Sequence, residues 1–489
     1  MLNESEILNL INEDKQSALK LAAEEGHNYY DGQHDILKSR IFYYNADGEL
    51  VEDKTRSNIK ICHQFFTELV DQCVQYILSG DEPLVASDDP ELQGFLDEYF
   101  DEEFIAELSD TLTDTCKGGF GYMYAYKSIK ERIAFQFAQA MGVVEVRAKD
   151  TDTNTENVIY WYTDRIAKSN KTIKRIQVWD DQQTYYYVAD GEGKIELDKD
   201  EKINPRPHIL YKKENDPATY YDGFGFIPFF RLDSCRQKTS HLKPIKALID
   251  DYDMMACGLS NNLVDFDTPI HIVKGFQGDN LDELQTNLKT KKIIGVEPDG
   301  GIEVQTVDIP YQARLAKLEL DDKNIYRFGM GFNSSQIGDG NITNVVIKSR
   351  YALLDLKCNK LAKRLKAFLK KIVKVVIDEI NNDNDTAYKA SDVYFNIKPE
   401  VITNAADNAS IEKTKAETKQ IIINTLLAVA SKFDDETLMK ALCEILEIDY
   451  EEIKDKLPKN PLDLDAASEA LANEPTEEPT EGEGGGEDD

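Results

Sequence analysis

An α+β fold assembled from several parts is what this 489-residue sequence predicts, and three observations carry it. Between residues 142 and 230 the pattern is almost all strand, while the segments on either side carry a helical apolar period. From His241 to Asn381 the order is helix, small mixed unit, helix, loop, long helix, an extended arrangement rather than a compact enzyme core. A short helical unit and an acidic tail close the chain.

Taken in order, residues 4–25 read as one helix, and HNYYDGQHDILKSR then breaks it with Gly26 and Gly32. His27 and His34, beside Asp31 and Asp35, match no metal-ligand spacing, so a structural role is expected for them. NIKICHQFFTELVDQCVQYILSG, Asn58 to Gly80, has a helical rhythm at Ile61, Phe65, Leu69, Cys73 and Ile77 and a glycine stop. Residues 90–116 read as a shorter helical unit dense in Asp and Glu. In KGGFGYMYAYKS, Lys117 to Ser128, three glycines precede alternating aromatics. A phosphate cradle needs a helix and a Lys-Ser or Lys-Thr pair after the glycines, so a turn entering a strand is expected instead.

VVEVRA, NVIYWYTD, KRIQVWDD, QTYYYVAD and GKIEL then read as successive strands, with Tyr185, Tyr186 and Tyr187 on a sheet face or a subunit contact. LKPIKALIDDYDMMACGLSNNLVDF returns to a helical period. Its Asp250, Asp251 and Asp253 cannot all point one way on a helix, which favours a solvated acidic face over a two-metal site. In the insertion 268–310, TPIHIVKG reads as a strand, DNLDELQTNLKT as a short helix, KKIIGVE as a strand, PDGG as a turn and IEVQTVDIP as a strand. A helix, YQARLAKLELDDKNIYRF, follows at Tyr311 to Phe328.

GMGFNSSQIGDGNITN then leads without a proline into the longest basic amphipathic pattern in the chain, 345–381. Apolar residues at Ile347, Tyr351, Leu354, Cys358, Leu361, Leu365, Phe368, Ile372, Val376 and Ile380 alternate steps of three and four. At 1.5 Å per residue that helix is roughly 55 Å long. Thr343 or Asn344 can cap it. Between Val345 and Lys374 it carries ten Lys or Arg against one acid, Asp355. Beyond Asn381 come a turn-rich break, a short strand in DVYFNIKPEVI, and helices in KQIIINTLLAVASKF and DETLMKALCEILEI.

The chain as a whole carries 57 basic and 91 acidic residues, a formal charge of −34, which disfavours a general nucleic-acid or anionic-membrane binder. No signal architecture and no run of eighteen apolar residues supports secretion or a membrane span. The seven cysteines are scattered and never form C-x-x-C, which favours buried reduced thiols over a disulfide framework or a zinc site. The last 29 residues hold eleven acids and no base, a solubilising tail expected to be disordered. Nucleotide-loop, zincin, nucleophile-elbow and kinase signatures are all missing, and the six histidines fall on different elements. No catalytic residue, cofactor or metal ligand is assigned.

The order of segments resembles the portal proteins of tailed double-stranded DNA phages, in particular long-tailed phages of Gram-positive hosts. The resemblance covers about residues 25–405 and rests on YYDGQHDIL, Asn58 with VDQCVQYILSGDEP, GFGYMYAY, FIPFFRL, LIDDYDMMACGLSNNLVDFDTPIHIVKG and, most tellingly, GMGFNSSQIGDGNITNVVIKSRYALLDLKCNKL. Relatives commonly enter the long helix through Ser-Gly-x-Ala-Leu-Lys, where this chain has Thr343 to Lys348. The resemblance implies a non-enzymatic homo-oligomer, usually a ring of twelve, at one capsid vertex of the virion, assembled in the host cytoplasm. Double-stranded DNA passes through it without sequence specificity. Implied partners are the terminase packaging motor, head-tail connector or adaptor proteins, scaffold and major capsid protein, with no membrane.

Carried over by position, 1–235 is the wing, 236–267 a stem helix, 268–310 the clip, and 311–332 a second stem helix. The tunnel loop is 333–344, the long helix and return to the wing 345–405, the crown 406–460 and the tail 461–489. The loop residues implied to face DNA are Ser334, Ser335, Gln336, Ile337, Gly338, Asp339, Gly340, Asn341, Ile342, Thr343 and Asn344. Lys348, Arg350 and Lys357 are implied for subunit or channel contact. For motor or connector docking the clip offers Asp279, Asp282, Glu283, Gln285 and Asp299. Two other readings stay open: a metal-dependent phage nuclease using Asp250, Asp251 and Asp253, and another minor virion protein.

Overall fold

The computed structural model describes residues 2–127, 132–147, 155–165, 172–189, 194–212, 219–266, 270–276, 280, 282, 296–305, 310–333, 344–397, 405–446 and 450. It comprises two compact units, Met1–Asp339 with Lys348–Val401, and Gly340–Ile347 with Ile402–Asp489. Helix and sheet are mixed throughout the first, as an α+β class requires.

The stretch expected as one amino-terminal helix is two, α1 (Glu4–Lys15) and α2 (Ala18–Tyr30). Asn3 opens α1 with a capping box to Glu6, and Ser17 opens α2 by accepting the Lys20 N–H. Gly26, expected as a breaker, lies inside α2, because a Cβ there would sit 2.0 Å from the Lys117 carbonyl oxygen. Close helix packing overrides its poor helix propensity.

A small hairpin of β1 (Phe42–Tyr44) and β2 (Leu50–Glu52) precedes α3 (Phe65–Leu78) and β3 (Val85–Ser87). The acidic unit is α4 (Pro90–Tyr99) and α5 (Glu102–Gly118), the latter ended by Gly119 in the left-handed region at φ +92°. The strands that follow are β4 (Phe120–Lys127), β5 (Ile133–Ala138), β6 (Val143–Arg147), β7 (Thr155–Arg165), β8 (Thr172–Trp179) and β9 (Gln183–Ala189). After them come β10 (Ile195–Leu197), β11 (Arg206–Pro207), β12 (Ile209–Lys212), β13 (Thr219–Asp222) and β14 (Phe229–Asp233). One antiparallel sheet runs β10-β9-β8-β7-β6 with β11 joining β9, and another runs β14-β4-β5. On the first sheet Ile159, Ile176 and Tyr187 are buried with Ile7 and Ile11 of α1, so that helix covers the face.

The remaining elements of this unit are α6 (Lys246–Phe266), β15 (Ile270–Phe276), β16 (Val296–Gln305), α7 (Tyr311–Gly329), α8 (Asn344–Asn384, belonging to this unit from Lys348 on) and β17 (Val393–Phe395). The PDGG tetrapeptide, expected as a turn between strands, lies within β16. Gly301 pairs with Lys274 and Val296 with Phe276, so the residues between them form an irregularity in one continuous strand. Apart from Asn280 and Asp282, the expected helix at DNLDELQTNLKT lies outside the described residues, as does most of the strand KKIIGVE.

Residues 57–63 are extended, where 58–63 are expected as part of a helix. Ser57 N–H donates to Asp265, Ile59 to Asn261 at 2.6 Å, Ile61 to Cys257 Sγ and His63 to Asp253. Two residues of extended chain rise about 6.6 Å, and four residues of helix about 6 Å. Alternate N–H groups of the segment therefore meet every fourth side chain of α6, and these bonds satisfy donors that a helix would otherwise use.

The long-helix stripe is buried from Leu354 through Cys358, Leu361, Leu365, Phe368, Ile372 and Val376 to Ile380, with Tyr351 half-buried. It packs among Phe66, Leu69, Cys73 and Ile77 of α3 and Leu108, Leu112 and Cys116 of α5. Each such side chain contributes on the order of 1.5–3 kcal/mol. The second unit holds α9 (Ala405–Ala428) and α10 (Asp435–Leu446), with Leu438 and Cys443 buried.

Candidate functional site

The segment joining α7 to α8 is where the resemblance implies a functional loop. Ser334, Ser335, Gln336, Ile337, Gly338, Asp339, Gly340, Asn341, Ile342 and Thr343 lie outside the described residues, and Asn344 is the first residue of α8. The exit from α7 is pinned at several points. Met330 takes a left-handed conformation, φ 54°, which ends the helix, and Gly331 N–H returns to the Tyr326 carbonyl at 2.9 Å. Gln72 of α3 then clasps Phe332 from both sides, donating to its carbonyl at 2.8 Å and accepting its N–H at 3.0 Å. Asn333 donates to Asp322 at 2.8 Å. The Phe332 ring stacks on Tyr351 of α8 at 4.4 Å, and Tyr351 stacks in turn on Tyr76.

The glycine pair of GMGF has its reason here. A Cβ on Gly331 would lie 2.0 Å from a Leu69 methyl, and one on Gly329 would lie 2.6 Å from the other. Lys357 reaches back from α8 to donate to the Gly329 carbonyl at 3.0 Å. That places a cation at the negative end of α7. The loop therefore departs from a rigid stump, whatever course its own residues take.

Below this stump α6 and α7 lie side by side, with Lys317 of α7 bridging Asp251 and Asp321. The three acids considered for a metal centre do not converge. Asp250 accepts from Tyr29 and Lys246, Asp251 pairs with Lys317, and Asp253 is fully buried between His34 at 2.6 Å and His63 at 2.7 Å. Burial works to raise the Asp253 pKa, but the hydrogen bonds from His34, His63 and the His63 N–H outweigh it and hold the carboxyl below its usual range. Asp253 is thus a buried structural node rather than part of a solvated acidic face. His34 stacks on Tyr29 at 4.5 Å, a structural role as its spacing implied.

On α8 the exposed lysines Lys348, Lys360, Lys363, Lys366, Lys370, Lys371 and Lys374 lie opposite the buried stripe. At 100° per residue they occupy an arc about 140° wide. Among the described residues none of them has a carboxylate within 4.0 Å.

A model of the family described as "Phage portal protein, SPP1 Gp6-like" matches residues 11–455. The chain belongs to the phage portal protein family. It is 27% identical over 348 residues to the portal protein of Bacillus phage SPP1, covering 71% of this chain and 67% of that protein. To the portal protein of Clostridium phage phiCD119 it is 26% identical over 362 residues, 72% of this chain and 77% of that one. Both relatives come from phages of Gram-positive hosts, as the resemblance implied.

Among the portal residues expected at functional positions, Lys348 is exposed, Arg350 is half-buried, and Lys357 makes the contact to Gly329 within the chain. In the clip, Asp282 and Asp299 are exposed, Asp299 within the β16 irregularity, while Asp279, Glu283 and Gln285 lie outside the described residues. The residues that hold the loop stump, Leu69, Gln72, Asp322 and Tyr351, went unassigned from sequence. Only the glycine pair at 329 and 331 hinted at a close approach. Among the described residues no helix is long and apolar enough to cross a membrane.

Proposed function

We propose that this portal protein forms a twelve-subunit ring at one capsid vertex and that its loop 333–344 projects into the channel that double-stranded DNA crosses during packaging and ejection. The observation that carries this reading is the pinned stump: a loop of small polar residues is held rigid at its root and leads into the longest helix of the chain. In this reading 236–267 and 311–332 are the stem. The clip, 268–310, docks the terminase motor and later the head-tail connectors. Residues 1–235 and 345–405 form the wing, and 406–460 the crown.

The physical chemistry supports a conduit without enzymatic activity. Each phosphate neutralised by a Lys or Arg adds affinity and so resistance to sliding. A loop with Gln336, Asn341 and Thr343 offers hydrogen bonds without strong charge, and the formal charge of −34 repels the duplex elsewhere. Native mass spectrometry and averaged negative-stain top views of the purified chain test the ring. Closed rings with a central opening wide enough for duplex DNA are expected, and a monomer under all conditions, also with capsid partners, overturns the assignment. Deleting Gln336 to Asn341 is expected to leave rings intact while DNA packaging or retention fails. Loss of rings would instead move this segment into the subunit contact.

A further inference from the structure

Three of the scattered cysteines meet in the core, together with a histidine. Cys73 sits on α3, Cys116 on the last turns of α5, Cys358 on α8, and His241 on the segment leading into α6. The ligand atoms of Cys73, Cys116 and His241 all lie within 4.8 Å of one another. The Cys358 sulfur is 3.4 Å from that of Cys73. All three thiols are at most 2% exposed. The His241 Nδ1 is shielded from solvent and has no hydrogen-bond partner among the described residues. His241 is itself fixed by its N–H, which donates to the Cys116 carbonyl at 3.0 Å.

We propose that Cys73, Cys116, Cys358 and His241 form a structural zinc site that ties α3, α5, α8 and the root of α6 together. The donor set is the three-thiolate, one-imidazole combination that zinc takes in closed structural sites. With metal–sulfur bonds of about 2.3 Å and metal–nitrogen bonds of about 2.0 Å, a tetrahedral site needs ligand atoms roughly 3.5–3.8 Å apart. For Cys73, Cys116 and His241 the observed spacing is within reach of small side-chain rotations, whereas Cys358 lies close to Cys73 but outside that group of three, so it closes the fourth position only after its side chain turns toward the other ligands. Binding releases one proton from each thiol and draws on the lone pair of a neutral imidazole. Three thiolates and a divalent ion leave one negative charge, and the Lys357 ammonium acts on all four groups to offset it.

Buried thiols alone are satisfied as small apolar groups, but an imidazole nitrogen enclosed beside them is not, and a burial cost follows unless something accepts its lone pair. A metal does. Sequence spacing gave no sign of the site because its ligands come from positions as far apart as 73 and 358, each inside an apolar helical pattern or a turn.

The test uses the full-length chain, expressed with zinc supplied and purified without chelator. Elemental analysis is expected to find zinc equimolar with chain. Replacement by Co2+ is expected to produce thiolate-to-cobalt charge-transfer absorption and the visible bands of a tetrahedral centre. Cys116→Ser and His241→Ala are expected to lose most of the metal while keeping their helical circular dichroism. If either variant does not fold, the wild-type cobalt spectrum decides alone. Zinc far below equimolar together with no thiolate-to-cobalt absorption overturns the proposal. So does a mass two hydrogens lighter that maps to a Cys73–Cys358 disulfide. Ring assembly does not enter the readout, so this inference and the channel reading fail independently.

Discussion

At the scale of single residues, the pair of half-buried His27 and buried Asp114 makes a prediction of definite sign. His27 Nε2 lies 3.2 Å from the Asp114 carboxylate. Burial raises the Asp114 pKa to about 7, against the Ala140 N–H that donates to it. Burial, assisted by the Lys117 ammonium, lowers His27 to about 4. Asp114 therefore contributes stability that is present below its unfolded value of about 3.9 and is lost as pH rises to about 7. His27 contributes stability that is present above about 6.5 and is lost as pH falls to about 4. Over most of the acid range the two slopes oppose each other. Asp114→Asn should gain stability relative to wild type as pH rises from about 4 to about 7, while His27→Gln should lose it over the lower part of that range. Urea unfolding at a series of pH values reads this difference. Profiles that stay parallel across the range would remove the pair from the pH dependence.

At the scale of elements, the anchor of the loop depends on one side chain. Gln72 provides two hydrogen bonds to Phe332, so Gln72→Ala should cost about 1–3 kcal/mol. Its further consequence should be faster amide exchange at 330–333 than in the core of α7. Unchanged exchange there would mean that the Phe332–Tyr351 stack alone holds the stump. Gln72 also marks what sequence can and cannot tell. The stripe of α8 was readable from Leu354 to Ile380 because one period governs many consecutive turns and all of them face the same core. The strands β6 to β10 were readable because alternation and turn residues agree. The extended run 57–63 was not, since Ile61 fits a helical rhythm and only Cys257, Asn261 and Asp265 on a distant helix decide otherwise. Gly26 misled for a similar reason: it reads as a breaker until the Lys117 carbonyl is beside it. The loop residues themselves were assigned by resemblance. The stump that holds them is a tertiary arrangement of Leu69, Gln72, Asp322 and Tyr351, and a lone Gln or Asp on a helix carries no signal of its partner.

At the scale of the whole molecule, the distribution of charge is more informative than its sum. The first unit presents a lysine face on α8 that lacks carboxylate partners among the described residues. It also presents an acidic pair of helices, with nine acids against one lysine between Pro90 and Gly118. A ring built by a head-to-tail contact needs two different complementary surfaces on every copy. The exposed lysines of α8 and exposed acids such as Glu102 and Glu103 of α5 supply such a pair. Reversing Lys363, Lys370 and Lys374 to Glu should leave the fold of the subunit almost untouched, within about 0.5 kcal/mol, because these side chains are solvated. Ring assembly should weaken most at low ionic strength, where like charges now repel, and recover in part as salt screens them over about 10 Å at 0.1 M. Adding Glu102→Lys and Glu103→Lys in the same chain should restore assembly, since each copy then carries both reversed surfaces. Sedimentation velocity across a salt series follows all three proteins. Rings of undiminished stability in the lysine-reversed protein would take this face out of the subunit contact. A packaging defect in those intact rings would then point to the duplex as the partner of α8.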